Sequence, residues 1–290
     1  MLNMKNIVVP VDFSDRMEGA AHLAKVFACR YQSKVTILHV VPPLSYGAGS
    51  IELVGSPAGA WVTEHREAMK NNLAALWTNE FGSLNIDRVL RDGDPAKQIV
   101  SFAHDEKVDL IVMPTHGYGP FRRFILGSVT AKILHDADCP VLTGTHMEEV
   151  PPAEAIDIKS IVCALDLGSH SEAVLNWAAR VSEDFRAKLT IVHALPPLES
   201  GEARYFDPTW RASLMQQAND RIAELQQKCN TNSEVFIESG DVAPLVDEAA
   251  KSYAADLIVI GRSMDTNLIG RLRANAYSII RDAPCPVASI

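Results

Sequence analysis

The sequence predicts an α/β chain made of two tandem domains, each a doubly wound, five-stranded parallel sheet. Three observations carry this expectation. The chain repeats itself, each copy alternates strand-like apolar runs with helix-period stretches, and an acidic, proline-bearing stretch separates the copies. Asn6-Ile7-Val8-Val9-Pro10-Val11-Asp12 aligns with Ser160-Ile161-Val162-Cys163-Ala164-Leu165-Asp166, an offset of 154 residues. Lys34-Val35-Thr36-Ile37-Leu38-His39 aligns with Lys188-Leu189-Thr190-Ile191-Val192-His193 at the same offset. Val108 to Met113 then aligns with Ala255 to Ile260, and Ala137 to Val141 with Ala283 to Val287, in unchanged order. Duplication places the first domain at residues 1–146, a linker at 147–159 and the second domain at 160–290.

Within the first copy, the continuous apolar run Ile7 to Val11 is what a strand covered on both faces requires. Asp15 to Tyr31 carries Met17, Ala20, Ala21, Ala24, Phe27 and Ala28 at helical spacing, with Ser14 in place to cap it. Val35 to Val41 is the second strand, stopped by Pro42-Pro43. Trp61 to Phe81 predicts a long helix, and Ile86 to Leu90 a short strand. Asp94 is a natural N-cap and Pro95 suits the first helical position. Leu110 to Met113 reads as a buried strand, Ser128 to Asp136 as a helix and Val141 to Thr143 as the closing strand. The linker MEEVPPAEAIDIK shows no apolar periodicity.

Bulk properties narrow the function. The 290 residues carry a net charge of −9, with 47% hydrophobic and 22% charged residues. An overall field of that sign repels phosphate backbones, which argues against a general binder of nucleic acid or anionic membrane. The five scattered cysteines lack any C-x2-C spacing and read as reduced thiols. Neither a signal peptide nor a membrane-spanning run is expected, so the predicted setting is cytoplasmic.

Open parallel sheets bind ligands beyond the carboxyl ends of their strands, where strand order reverses. Asp12 follows the first strand. Pro114-Thr115-His116-Gly117 follows the fourth, and Gly127-Ser128 opens the next helix. A helix N-terminus offers unpaired N–H groups and a positive dipole end, and glycine admits an anion close to the backbone. The alternatives are a simple turn and cap at Gly127-Ser128, a turn glycine at Gly117 and a capping role for Asp12. His39 and His193 recur at matching strand ends and read as packed, hydrogen-bonded side chains, not metal ligands. Arg122 and Arg123 read as solvated, with phosphate neutralisation as the alternative. Neither G-x4-G-K-S/T nor a nucleophile elbow occurs, so no catalytic residue is assigned.

Taken together these blocks resemble the universal stress protein family, over essentially the whole chain. Its nucleotide-binding members carry G-x2-G-x9-G-S/T after the fourth strand. Here Gly117, nine intervening residues, Gly127 and Ser128 match three of the four fixed positions, and Pro114 replaces the first glycine. Val9-Pro10-Val11-Asp12-Phe13-Ser14, Leu38-His39-Val40 and Cys139-Pro140-Val141 are also similar to that family. The resemblance implies an adenine-nucleotide alpha-hydrolase-like, Rossmann-like fold. It also implies a pocket for ATP, or for AMP or ADP, with Mg2+ able to accompany the phosphates. By similarity Asp12 contacts the ribose or adenine side, and the backbone at Val11 and Val40 meets the adenine. Met113, Pro114, His116 and Gly117 line the ribose and phosphates, and Gly127, Ser128, Val129 and Thr130 hold the phosphate chain. Proline at 114 removes an N–H and any left-handed backbone, and is harmless if the family glycine serves only to give space.

The second copy reads Gly261-Arg262-Ser263-Met264, nine residues, then Ala274-Asn275, keeping one of the four signature residues. Little or no ATP binding is expected there. Arg262, Arg271 and Arg273 read as a solvated basic loop, with a different anion as the alternative. The functional expectation is a stress-response regulatory protein that binds ATP in its first domain without efficient turnover. A nucleotide-free interaction protein and a slow ATPase remain the alternatives. Pro140-Val141-Leu142 and Pro286-Val287-Ala288 are expected to pair with each other inside one chain. A homodimer is left open.

Overall fold

The computed structural model describes residues 2–14, 16–43, 57–115, 126–144, 151–196, 208–262 and 271–290, with backbone only at 57–62, 208–209 and 271–274. In the first half β1 is Asn6–Val11, α1 Met17–Tyr31, β2 Lys34–Val41, α2 Pro57–Ala75 and β3 Ile86–Asp92. They are followed by α3 Pro95–Asp105, β4 Leu110–Met113, α4 Ser128–Asp136 and β5 Val141–Thr143. The second half repeats the series. It comprises β6 Ser160–Ala164, α5 Ser171–Phe185, β7 Lys188–Leu195, α6 Pro208–Lys228 and β8 Glu234–Ser239, then α7 Val242–Ser252, β9 Leu257–Ile260, α8 Arg271–Asp282 and β10 Val287–Ser289.

The ten strands among the described residues lie in one sheet, ordered β3-β2-β1-β4-β5-β10-β9-β6-β7-β8. Each half is parallel throughout, as buried apolar strands such as Leu110–Met113 demand. The halves meet antiparallel, with Thr143 opposite Val287, Leu142 opposite Ala288 and Val141 opposite Ser289. The Thr143 hydroxyl donates to the Val287 carbonyl at 3.2 Å across this seam. β1 pairs with both β2 and β4, so strand order reverses at β1. The equivalent reversal in the second half is at β6.

Two apolar layers sandwich the sheet, and each runs through both halves. One packs Phe27 of α1 and Leu175 of α5 against Ile7, Ile37 and Ile161. The other packs Ile99, Phe102 and Ile133 with Val246, Ile279 and Ile280 against Val8, Ile111 and Ile258. Burying each large aliphatic or aromatic side chain contributes roughly 1.5–3 kcal/mol. The shared layers therefore bind the halves together as well as folding each one. Phe27 meets Phe185 at 5.3 Å between centroids, and the Leu2 amide donates to the Asp184 carboxylate at 2.8 Å.

Several local expectations change. Ser14 does not cap α1: the helix starts at Met17 with Arg16 at the cap position and no side-chain cap. Phe13 has φ 60°, which folds the chain back so that the Ser14 hydroxyl and amide both donate to Asp12 Oδ1, at 2.7 and 3.0 Å. The α2 helix runs over Pro57–Ala75, not Trp61–Phe81. Trp77 at φ 50° leaves the helical region, and Phe81 reaches the core from a turn at nearly helical spacing. Asp94 does cap α3, accepting from the Lys97 amide at 3.0 Å, with Pro95 at the first position. The segment joining the halves lies against α1. Ala153 and Ile158 are buried, His22 bonds the Pro151 carbonyl at 2.8 Å, and Lys25 pairs with Glu154 at 2.8 Å.

Candidate nucleotide site

At the β1 reversal the carboxyl ends of β1, β2 and β4 open into a cavity of about 660 Å³. Of the residues singled out from sequence, Val11, Asp12, Val40, Met113, Pro114, Gly127, Ser128, Val129 and Thr130 all line it. His116 and Gly117 lie outside the described residues, as do Arg122 and Arg123. Sequence reading missed the outer wall, where α2 contributes His65, Met69 and Asn72 and α3 contributes Pro95 and Ile99. The long amphipathic pattern of α2 gave no sign that one face would overhang the strand ends.

The inner wall is fixed by hydrogen bonds. The His39 Nδ1–H donates to the Val11 carbonyl at 2.7 Å, and since a carbonyl can only accept, that nitrogen carries the proton. Burial pulls the imidazole below its ordinary 6.5, and the bond to Val11 only partly opposes this, so the ring is neutral at pH 7. The Phe13 ring sits 4.5 Å from it. Asp12 holds the turn into α1 through its two bonds from Ser14. No group of three or more potential metal ligands occurs among the described residues.

A further wall of the cavity is the start of α4. Gly127 occupies the cap position at φ −58° and ψ 141°, and its own N–H donates to the Thr115 carbonyl at 3.0 Å. Ser128 is the first helical residue and is exposed; among the described residues its hydroxyl has no hydrogen-bond partner. Helix geometry leaves the N–H groups of residues 128–130 without acceptors inside the helix, at the positive end of its dipole. The Thr130 hydroxyl is turned inward to the Pro114 carbonyl at 3.3 Å, which ties α4 to the end of β4.

Pro114 is better placed than its chemistry suggests. Gly261, its counterpart, does not adopt the left-handed backbone, although a Cβ there would crowd the Val174 side chain at 3.2 Å. The second half therefore shows no left-handed backbone at this position, and proline at 114 removes one N–H donor.

In the second half the corresponding strand ends enclose only about 170 Å³. Leu165, Asp166, His193, Gly261, Asn275 and Ala276 line it, and among the described residues none of α6 does. His193 keeps the bonding of its counterpart, and Asp166 again accepts one amide and one hydroxyl, the hydroxyl now coming from the first residue of α5. Asp166 accepts from the Gly168 amide at 2.9 Å and the Ser171 hydroxyl at 2.8 Å, and His193 bonds the Leu165 carbonyl at 2.8 Å. Met264 and the Ala274, Arg271 and Arg273 side chains lie outside the described residues. Arg262 corrects an expectation: it is not part of a solvated basic loop. Its guanidinium crosses into the first half, with Nη1 donating to the Leu134 carbonyl at 3.1 Å and Nη2 to the Cys139 carbonyl at 2.6 Å.

Comparison with known proteins decides the family. A model of the universal stress protein family matches twice, over residues 3–143 and 157–290. The chain belongs to the universal stress protein family. One half is 35% identical over 147 residues to universal stress protein MJ0531 of Methanocaldococcus jannaschii, covering 48% of this chain and 80% of that protein. A universal stress protein from Archaeoglobus fulgidus shares the fold over 98% of this chain and 95% of its own, with TM-score 0.67 and 21% identity. A structure from Pseudomonas aeruginosa, described as a putative universal stress protein, covers 99% of this chain and 93% of its own, with TM-score 0.65 and 17% identity. No helix among the described residues is long and apolar enough to cross a membrane.

Proposed function

We propose that this universal stress protein binds ATP, or another adenine nucleotide, in its first half, and that residues 160–290 form a diverged partner domain. The observation that carries the proposal is the asymmetry of the two cavities. The first, of about 660 Å³, ends on the open turn of α4 behind Gly127, while its counterpart holds about 170 Å³. Small-molecule sites typically occupy roughly 300–1,000 Å³, a range that only the first meets.

The residues fit the group. Apolar Val11, Val40 and Met113 line the inner part of the cavity, as a base requires, and residues 127–130 present a helix N-terminus to the phosphates. Mg2+ would ride with the phosphates. The resulting function is regulatory: occupancy of the pocket is the signal, read by a cytoplasmic partner in a stress response. The antiparallel seam between β5 and β10 lets the second half serve as a built-in partner for the first, as a second copy would in a homodimer.

Calorimetric titration with ATP tests this. Saturable heat is expected for the wild-type chain and none for Gly127→Val, whose side chain enters the phosphate path while φ −58° leaves the backbone unstrained. Absence of heat at millimolar ATP with an intact fold would sink the proposal.

A further inference from the structure

The first half's α4 is short, roughly 13 Å at 1.5 Å per residue, and its two ends face different halves of the molecule. Its N-terminal turn lines the large cavity. Its C-terminal end is gripped from the second half. Carbonyls in a last helical turn lack intrahelical donors. The Ala137 amide takes that of Ile133 at 2.9 Å, and Arg262 takes that of Leu134. Arg262 also binds the Cys139 carbonyl just beyond the helix, and the Tyr277 hydroxyl of α8 donates to the Ala131 carbonyl at 3.2 Å. A guanidinium there also complements the negative end of the helix dipole, opposite the end that would meet phosphate.

The two halves differ at the gripping positions. At the repeat offset, Arg262 aligns with Thr115 and Tyr277 with Thr130, so each long donor of the second half stands where the first has a short hydroxyl. Thr130 bonds within its own half, to Pro114. The Arg262 main chain is anchored in turn, its amide donating to the Ile290 carbonyl at 2.8 Å beyond β10. The C-terminal end of α4 is thus tied to the second half.

We infer that Arg262, with Tyr277, is a positioning residue for the first half's nucleotide site: it sets where the N-terminus of α4 stands relative to the β1 and β4 ends, and so tunes affinity for phosphate. This rests on the nucleotide reading above. It gives the diverged half a task that its own small cavity does not supply, and it contacts no ligand itself. Adenosine, which lacks phosphates, should be indifferent to the placement of α4, whereas ATP should not.

The test is calorimetric titration of the full chain with ATP and with adenosine, alongside thermal melts. Arg262→Ala is expected to weaken ATP binding about fivefold or more while changing adenosine affinity by less than about twofold. Arg262→Lys, which keeps the charge and part of the bonding, should recover part of the loss. Tyr277→Phe removes one hydroxyl without disturbing packing and should show a smaller loss with the same selectivity; it decides the matter if Arg262→Ala fails to fold. Wild-type ATP affinity in Arg262→Ala, or equal losses for ATP and adenosine, overturns the inference while leaving the nucleotide reading intact. A wild-type chain that binds neither compound overturns both.

Discussion

The two halves share their strands, their order of elements and their switch points, yet one encloses about 660 Å³ and the other about 170 Å³. What they retain in common is instructive. Asp12 and Asp166 each hold the turn into the following helix, next to Phe13 and Leu167 at φ 60° and 62°. His39 and His193 each bond the carbonyl at the end of the neighbouring strand, at 2.7 and 2.8 Å. Residues kept in the small-cavity half with similar local bonding are parts of the architecture. Those that differ, Gly127-Ser128 against Ala274-Asn275 and the α2 wall against none from the described residues of α6, are the positions on which the proposed difference in ligand capacity rests.

That comparison can be broken at several points. The largest effect is expected from Gly127→Val, with ATP affinity falling more than about 100-fold, or ~2.7 kcal/mol, by calorimetry. Ala274→Val at the matching position of the second half should leave ATP binding unchanged. Next come the paired aspartates. Asp12→Ala and Asp166→Ala should each cost about 1 kcal/mol in urea denaturation, because each deletes one acceptor of two local hydrogen bonds. Only Asp12→Ala should also weaken ATP, by about tenfold, ~1.4 kcal/mol. Equal effects of both variants on ATP would mean that the halves are functionally alike.

The smallest effect concerns pH. Because burial depresses the His39 imidazole, the unfolded chain takes up a proton more readily than the folded one. The stability this group contributes is fully present above the ordinary value of 6.5 and is lost as pH falls below it toward the depressed folded value. His39→Asn, whose amide can still donate to the Val11 carbonyl but does not titrate, should flatten part of the stability decline measured between about pH 7 and pH 5. An unchanged decline would show that His39 is not its source.

Much of this was legible in the amino acids. Buried strands wrote themselves as unbroken apolar runs, and the duplicate copies confirmed one another. Asp94-Pro95, Ser128–Asp136 and Val141–Thr143 marked their elements because capping and chain-stopping are local events. What escaped was set by conformation or by distance. Ser14 looked like a cap until Phe13 turned left-handed and delivered it to Asp12. The end of α2 was hidden because Phe81 keeps nearly helical spacing from a turn that begins at Trp77. Met69 and Asn72 gave no sign of a pocket, since their role depends on which way α2 leans over the strand ends. Arg262 could be read only as a loop charge, because its acceptors, Leu134 and Cys139, come near it only through the antiparallel seam of β5 and β10.

The central claim, one nucleotide site in a duplicated chain, is tested most directly by equilibrium dialysis of the intact protein against ATP at saturating concentration. The account predicts one ATP bound per chain, and none in Gly127→Val. Two per chain, or one that survives in Gly127→Val, would contradict it.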